Sequence, residues 1–235
     1  MPLEKYEWID RSEILTFEEI TRLSKVFIAL GVEEIRLTGG EPLLRHGLEL
    51  LVAQLGRLEG LRDLSLTTNA SLLSEKAEVL VRSGLKRINV SLDTVRADRF
   101  LAMTRRDELG NVLRGLSDAK RLGLGPIKIN TVVQRGVNED DVLELVDFCR
   151  RNGYWVRFIE YMDAGNSNEW VSENMVPKKE ILERIRSRFP LREAGRQDAS
   201  APAVDYAFSD GPGNVGVIAS VTEPFCEGCT RARLT

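Results

Sequence analysis

Residues 33–42 read EEIRLTGGEP, a short run of alternating polar and apolar side chains followed at once by two glycines and a proline. This order predicts a β-strand over 33–38 that ends in a tight turn. From Thr16, which has the spacing of a capping box with Glu19, the sequence alternates between such runs and amphipathic helical stretches. The alternation predicts a parallel sheet whose strands are joined by helices.

The βα repeat leaves two architectures, an open doubly wound sheet or a barrel. The predicted strands are 33–38, 61–67, 87–92, 127–133 and 155–161. The predicted helices are 16–30, 48–58, 74–83, 111–122, 140–152 and 178–189. The first βα turn lacks the G-x-G-x-x-G of a dinucleotide fold. The sequence therefore favours a partial TIM-like βα barrel.

The pattern loosens after the last of these strands. Residues 192–204 predict an irregular polar bend, and residues 206–235 predict short strands around the turn at 211–214. We therefore predict two domains, a barrel over 1–165 and a smaller region over 166–235. We also predict that the chain is a segment of a longer protein, truncated at both ends. At the C-terminal end, a strand-like alternation has only just begun after a cysteine pair.

Composition excludes several classes of protein. The chain has 235 residues, 43% hydrophobic and 29% charged, with a formal net charge of -3. This charge argues against binding to nucleic acid or to an anionic membrane. No apolar run approaches the roughly 20 residues of a membrane-spanning helix. Three cysteines, an odd number, do not make a secretory disulfide framework, which predicts a cytoplasmic protein.

Polar residues near the ends of the predicted strands are the candidates for chemistry, since barrels carry their sites at the C-terminal ends of the strands. Gly39 and Gly40 allow close approach of a ligand to the backbone, and Glu41 adds a carboxylate. A ring of such residues on several strands suggests a cationic pocket for a phosphorylated ligand. The other candidates on or after strands are Arg36, Thr67, Ser91, Lys128, Asn130, Arg157 and Met162.

Single members of this set have simpler explanations. A salt bridge inside the fold would serve a buried Lys128 as well as a bound anion would. Met162 taken alone is more typical of packing than of a ligand. The sequence Gly-Gly-Glu-Pro at 39–42, directly after a strand, favours a site by itself. For the other members it is the shared position at one edge of the sheet that favours a site.

A cysteine pair near the C-terminus, Cys226 and Cys229, is compatible with zinc, a redox dithiol or an iron–sulfur cluster. Cys149, in a predicted helix, is more typical of a buried apolar residue. The pair therefore predicts half of a metal site, and Arg231 and Arg233 would point at an anion beside it.

Together these motifs resemble the GTP 3',8-cyclases, the radical SAM (S-adenosylmethionine) enzymes that open molybdenum-cofactor biosynthesis. The resemblance extends over essentially the whole chain. Met1-Pro2 are similar to the Met-Pro that follows the Cys-x3-Cys-x2-Cys loop of that family. The resemblance implies a partial barrel with two 4Fe-4S clusters. The ligands of the first cluster would then precede residue 1, so that the 235-residue chain by itself would be inactive.

The resemblance also implies roles for the candidate residues. Those implied to bind SAM are Gly39, Gly40, Glu41, Ser91, Asn130, Arg157 and Met162. Those implied to bind GTP are Arg36, Thr67, Lys128, Arg231 and Arg233. Cys226 and Cys229 would ligate the second cluster. In this family a radical derived from SAM removes the ribose 3' hydrogen of GTP, and the ribose then attacks guanine C8.

Further implications concern partners and departures from the family pattern. The product would pass to cyclic pyranopterin monophosphate synthase, and the protein would form a homodimer. Glu34 stands where relatives can have Lys, and Ala70 where Gly usually follows Thr-Thr-Asn; we expect weaker phosphate affinity and a stiffer turn. Two alternatives remain at this point: another radical SAM enzyme with an auxiliary cluster, and a non-catalytic barrel that binds a phosphorylated ligand.

Overall fold

The computed structural model describes residues 10, 13–163 and 170–234 of the chain. The helices are α1 (Phe17–Ala29), α2 (Leu48–Gly56), α3 (Leu73–Arg82), α4 (Ala97–Thr104), α5 (Leu109–Arg121), α6 (Val142–Asn152) and α7 (Lys178–Arg186). The strands are β1 (Glu34–Leu37), β2 (Asp63–Thr68), β3 (Arg87–Ser91), β4 (Lys128–Val133), β5 (Trp155–Glu160), β6 (Leu191–Gly195), β7 (Val204–Phe208) and β8 (Asn214–Ile218).

The described residues form two compact units. The N-terminal unit comprises residues 13–91 and 108–127, and the C-terminal unit comprises residues 92–107, 128–163 and 170–234. This division differs from the predicted boundary at 165/166, and the two predicted domains remain a prediction.

The N-terminal unit contains the parallel strands β1, β2 and β3, paired in that order. The capping box predicted for α1 is present: the Glu19 N–H donates to Thr16 Oγ1 at 3.2 Å, and the Thr16 N–H donates to Glu19 Oε2 at 2.8 Å. The strand side chains Leu64, Leu66 and Ile88 are fully buried. They alternate with polar residues along each strand, so that each strand has one apolar and one polar face.

In the C-terminal unit the strand order is β4-β5-β8-β7-β6. The strands β4, β5 and β8 are parallel, whereas β7 pairs antiparallel with both β8 and β6. Tyr206 and Val217 are buried on this sheet and pack against Leu182 of α7. The predicted alternation of strands and helices thus holds as far as β5, and the last three strands form an antiparallel extension.

Two elements differ from the prediction. The irregular bend predicted over 192–204 is wrong at its start, since Leu191–Gly195 form strand β6. Its central residues are exposed because β6 lies at the end of the strand order, and the sequence therefore lacks an apolar alternation there. Helix α4 was not predicted, because only Phe100 of its eight residues is buried.

Candidate functional site

The predicted turn after β1 leaves its backbone accessible. A Cβ atom added at Gly39 or Gly40 would meet no heavy atom of the described residues within 4 Å, and Gly39 has a φ of +151°. The carboxylate of Glu41 bonds to residues at the end of β2: Oε1 accepts from Thr68 Oγ1 at 2.7 Å, and Oε2 accepts from the Asn69 N–H at 2.7 Å. Glu41 therefore holds the glycine turn in place through the neighbouring strand.

The N-terminal unit brings three predicted residues onto one face of its sheet. Arg36 Nε donates to Ser65 Oγ at 3.4 Å, and Asn89 Nδ2 donates to Thr67 Oγ1 at 3.4 Å. Because side chains two positions apart share a face, Thr67 lies on the face of Ser65 and Ser91 on the face of Asn89. This face therefore carries a polar surface near the C-terminal ends of β1, β2 and β3, formed by Arg36, Thr67 and Ser91.

Glu34 and Ala70, the two residues that differ from the family pattern, each have a distinct environment in the structure. Glu34 Oε2 lies 3.2 Å from Arg87 Nη2, and Arg87 also pairs with Asp63 at 2.6 Å. The hydrogen bond that Arg87 donates to Asp63 raises the pKa of the Arg87 guanidinium more than the coulombic attraction of Glu34 does. Ala70 adopts a left-handed conformation with φ of +61°, which costs an alanine about 1 kcal/mol relative to glycine.

The C-terminal unit places Lys128, Asn130 and Arg157 on one face of β4 and β5. Asn130 and Arg157 are register partners, and Lys128 lies two residues before Asn130. Lys128 is only 4% exposed; its Nζ lies 5.1 Å from the centre of the Trp155 ring and 3.5 Å from Gln197 Oε1. The buried Oδ1 of Asn130 accepts no hydrogen bond from the described part of the chain. A ligand donor would satisfy this oxygen.

The register that pairs Asn130 with Arg157 continues across the sheet to β8 and β7. Arg157 is the register partner of Gly216, which in turn is the partner of Asp205. A Cβ atom at Gly216 would lie 2.9 Å from Asp205 Oδ1 and 3.0 Å from Arg157 Cγ. Gly216 thus leaves room for both side chains above β8. The only sign of this arrangement in the sequence is a glycine inside a strand, which the sequence-based prediction does not use.

Cys226 is the first residue of a short 3-10 turn, Cys226–Gly228, and Cys229 directly follows this turn; both cysteines are exposed. Arg231 Nε donates to Cys229 Sγ at 3.4 Å. Hydrogen bonds from the Arg231 backbone and side chain lower the pKa of the Cys229 thiol. Arg231 also lies over the Phe225 ring at 5.5 Å, and Arg233 is exposed.

Cys149 is buried, as the sequence predicts, and desolvation raises the pKa of its thiol. Met162, two residues after β5, is 48% exposed. Within the described ranges no group of three or more His, Cys, Asp or Glu side chains is placed to hold a metal ion. The roles predicted for individual residues therefore remain predictions. Met1-Pro2 lie outside the described residues.

Burial raises the pKa of a further carboxylate, that of Asp93. Asp93 follows β3, and its Oδ1 accepts from the Val132 N–H at 2.8 Å. Desolvation raises the pKa of Asp93 to about 6, although the hydrogen bond from Val132 acts against it. The ordinary value in an unfolded chain is about 3.9. The folded state therefore holds a proton that the unfolded state releases between about pH 4 and pH 6.

We expect Asp93→Asn to stabilise the protein at pH 7 by about 2 kcal/mol, since the amide oxygen can still accept from Val132. The contribution of Asp93 to stability falls as pH rises from about 4 to 6, and the variant should lack this fall. Urea denaturation at pH 4, 5, 6 and 7 measures it. The control is Asp98→Asn, because the hydrogen bond from Arg96 lowers the pKa of Asp98 and predicts the opposite sign. Equal pH profiles for wild type and Asp93→Asn would contradict the prediction.

Two family models match successive parts of the chain. Residues 4–149 match the model described as Radical SAM superfamily, and residues 154–235 match Molybdenum Cofactor Synthesis C. The glycine turn after a parallel strand and the α/β architecture fit the first of these. The chain belongs to the radical SAM superfamily.

Curated relatives narrow the assignment within that superfamily. The chain is 50% identical over 231 residues to a GTP 3',8-cyclase of Acidothermus cellulolyticus, covering 98% of this chain and 64% of that protein. It is 45% identical to a GTP 3',8-cyclase of Streptomyces coelicolor, covering 100% of this chain and 70% of that protein. It is thus a member of the GTP 3',8-cyclase family, and it spans about two thirds of the length of these relatives.

Solved structures confirm the α/β fold of the radical SAM type. Streptococcus suis SuiB aligns with a TM-score of 0.60 at 19% identity, over 75% of this chain and 40% of that one. A structure of TYW1 with a lysine-pyruvate adduct aligns with a TM-score of 0.57 at 17% identity, over 83% of this chain and 68% of that one. No helix in the described part of the chain is long and apolar enough to cross a membrane.

Membership of this superfamily implies SAM and a 4Fe-4S cluster as cofactors, and several residues fit these groups. The open backbone at Gly39 and Gly40 and the unsatisfied oxygen of Asn130 fit a polar ligand such as SAM. The exposed thiols of Cys226 and Cys229 fit iron, because cluster ligands are thiolates and the pKa of Cys229 is lowered. Two thiols make half of such a site.

Proposed function

We propose that this chain is the larger part of a GTP 3',8-cyclase, which converts GTP to a 3',8-cyclised nucleotide at the start of molybdenum-cofactor biosynthesis. The observation that carries the proposal is the combination of 50% identity over 98% of the chain with the match of residues 154–235 to Molybdenum Cofactor Synthesis C. The second match distinguishes this chain from radical SAM enzymes of other branches.

The residues that we assign to SAM are Gly39, Gly40, Glu41, Ser91, Asn130, Arg157 and Met162. SAM and its cluster, when bound, supply the one-electron chemistry of the reaction. The backbone at Gly39 and Gly40 would bind the polar end of SAM, with Glu41 fixing the turn. Asn130 would accept a hydrogen bond from the ligand at its buried Oδ1, which supports the assignment.

The proposed GTP contacts are cationic side chains and one hydroxyl: Arg36, Thr67, Lys128, Arg231 and Arg233. Lys128 supports this assignment because a buried ammonium group is stabilised by a nearby anion. Guanidinium groups bind phosphate oxygens in a bidentate manner, which suits Arg231 and Arg233. These residues would hold the nucleotide and set its orientation, which is the contribution of the protein to such a reaction.

We further propose a second 4Fe-4S cluster, with Cys226 and Cys229 as two of its ligands. The hydrogen bonds from Arg231 favour the thiolate form of Cys229, and this thiolate is the form that binds iron. The partners that we assign are cyclic pyranopterin monophosphate synthase and a second copy of the chain. The odd number of cysteines, which does not make a disulfide framework, supports a cytoplasmic protein.

Isothermal titration calorimetry of the 235-residue chain with GTP tests the proposal. We expect binding of GTP, and we expect Lys128→Met to weaken it at least tenfold because a buried cation is lost. The control is Lys179→Met, since the Lys179 side chain is 87% exposed on α7. Binding of GTP by neither wild type nor control would overturn the proposal and favour a radical SAM enzyme that acts on another substrate.

A further inference from the structure

The last residue of β5, Glu160, is a fully buried carboxylate with four hydrogen-bond donors around it. Oε1 accepts from the Lys178 N–H at 2.8 Å and from Thr222 Oγ1 at 2.5 Å. Oε2 accepts from the Val221 N–H at 2.9 Å and from the Thr222 N–H at 2.8 Å. Three of the four donors are backbone N–H groups, so the carboxylate joins separate segments of the chain.

One of these segments is the start of α7. Its N-cap residue is Pro177, which offers no side-chain acceptor to the first N–H groups of the helix. Glu160, at the end of β5, supplies the acceptor for the Lys178 N–H. A negative charge at this position is also favoured by the helix dipole.

The other segment leads directly to the cysteine pair. Val221 and Thr222 precede Cys226 by five and four residues, and no strand follows β8 in the described part of the chain. Glu223, the next residue, bonds to Lys178 Nζ at 2.7 Å. The segment 219–225 is thus bound at the carboxyl end of β5 by two side chains, Glu160 and Lys178.

We propose that Glu160 is a positioning residue that fixes the segment carrying Cys226, Cys229, Arg231 and Arg233 at the end of β5. The inference rests on the proposed function in so far as these four residues bind a cluster and GTP. Without the carboxylate, three backbone N–H groups lose their acceptor and the segment leaves its place. The ligands must then be ordered at the moment of binding, which weakens binding.

Glu160→Gln is the informative substitution, because glutamine has nearly the same size. It replaces one carboxylate oxygen by an NH₂ group, which would face N–H donors. Asp141→Asn is the matched control: Asp141 is another carboxylate of the same unit, 1% exposed, and its partners Thr94 and Arg99 lie outside the segment. Both variants are expected to lose stability, so stability alone does not separate them.

A distance between two nitroxide labels gives the first measurement. One label is placed on Cys226 in a Cys229→Ser background, and the other on Arg151→Cys, whose side chain is 71% exposed on α6. We expect a narrow distance distribution, at least doubled in width by Glu160→Gln and unchanged by Asp141→Asn. A broad distribution before substitution, or equal widths for the two variants, would overturn the inference.

Calorimetry with GTP on the unlabelled chain gives the second measurement. We expect Glu160→Gln to raise the Kd about tenfold, which is about 1.4 kcal/mol, and Asp141→Asn to leave it within twofold. An unchanged Kd in Glu160→Gln would refute its role in placing Arg231 and Arg233. If the unaltered chain binds no GTP, the proposed function fails, whereas the label distances still decide whether Glu160 fixes the segment.

Discussion

Replacing Asp141 by alanine is expected to lower the free energy of unfolding by about 4 kcal/mol. Asp141 is 1% exposed, and its two oxygens lie 2.5 Å from Arg99 Nη1 and 2.5 Å from Thr94 Oγ1. Thr94 is also 1% exposed. The substitution leaves a buried hydroxyl and a largely buried guanidinium without their acceptor. The cost of leaving such groups unsatisfied exceeds the net value of the original bonds.

Urea denaturation followed by circular dichroism measures this change. The control is Asp98→Ala, which removes a neighbouring but exposed carboxylate that pairs with Arg96. Exposed ion pairs contribute little, so the control should unfold at nearly the wild-type midpoint. Equal midpoints for the two variants would show that Asp141 is not a centre of stability.

Replacing Gly115 by alanine is expected to cost about 3 kcal/mol. Gly115 lies in α5, and a Cβ atom there would be 2.8 Å from Leu73 Cβ, 3.1 Å from the Ala70 carbonyl oxygen and 3.2 Å from the Ser74 nitrogen. Two of these atoms are backbone atoms near the start of α3, and the third is the first side-chain atom of a buried leucine. None of them can move without moving the helix.

Gly110→Ala is the matched control for this prediction, because it introduces the same methyl group into the same helix. The nearest atom to its added Cβ is the end of the flexible Arg114 side chain at 3.6 Å. Since alanine has the higher helix propensity, the control should keep or raise stability. Thermal unfolding of both variants measures the difference, and a loss in Gly110→Ala as large as in Gly115→Ala would contradict the packing explanation.

Much of the fold was predictable because the signals are local. The capping box at Thr16 and the strands up to β5 follow from side-chain alternation and cap spacing, which depend on neighbouring residues. The antiparallel extension was harder to predict. The exposed residues of β6 carry no apolar alternation, and their strand conformation depends on pairing with β7.

The candidate site was predictable residue by residue but not as a set of contacts. Alternation places Lys128 and Asn130 on one face, which the structure confirms. The hydrogen bonds that Glu41 accepts from Thr68 and Asn69 could not be predicted, because they join residues 27 and 28 positions apart in the chain. The carboxylate of Glu160 was also missed, since its donors lie up to 62 residues later in the chain.

The insertion of β8 between β5 and β7 has a consequence for synthesis on the ribosome. One edge of β5 receives its neighbour only after the residues of β8, ending at Ile218, have emerged. At about 5–20 residues per second, the roughly 58 residues between the ends of the two strands require about 3 to 12 seconds. During that interval a nascent chain exposes unpaired backbone groups that can join another strand, so a chaperone that shields this edge would raise the yield of folded protein.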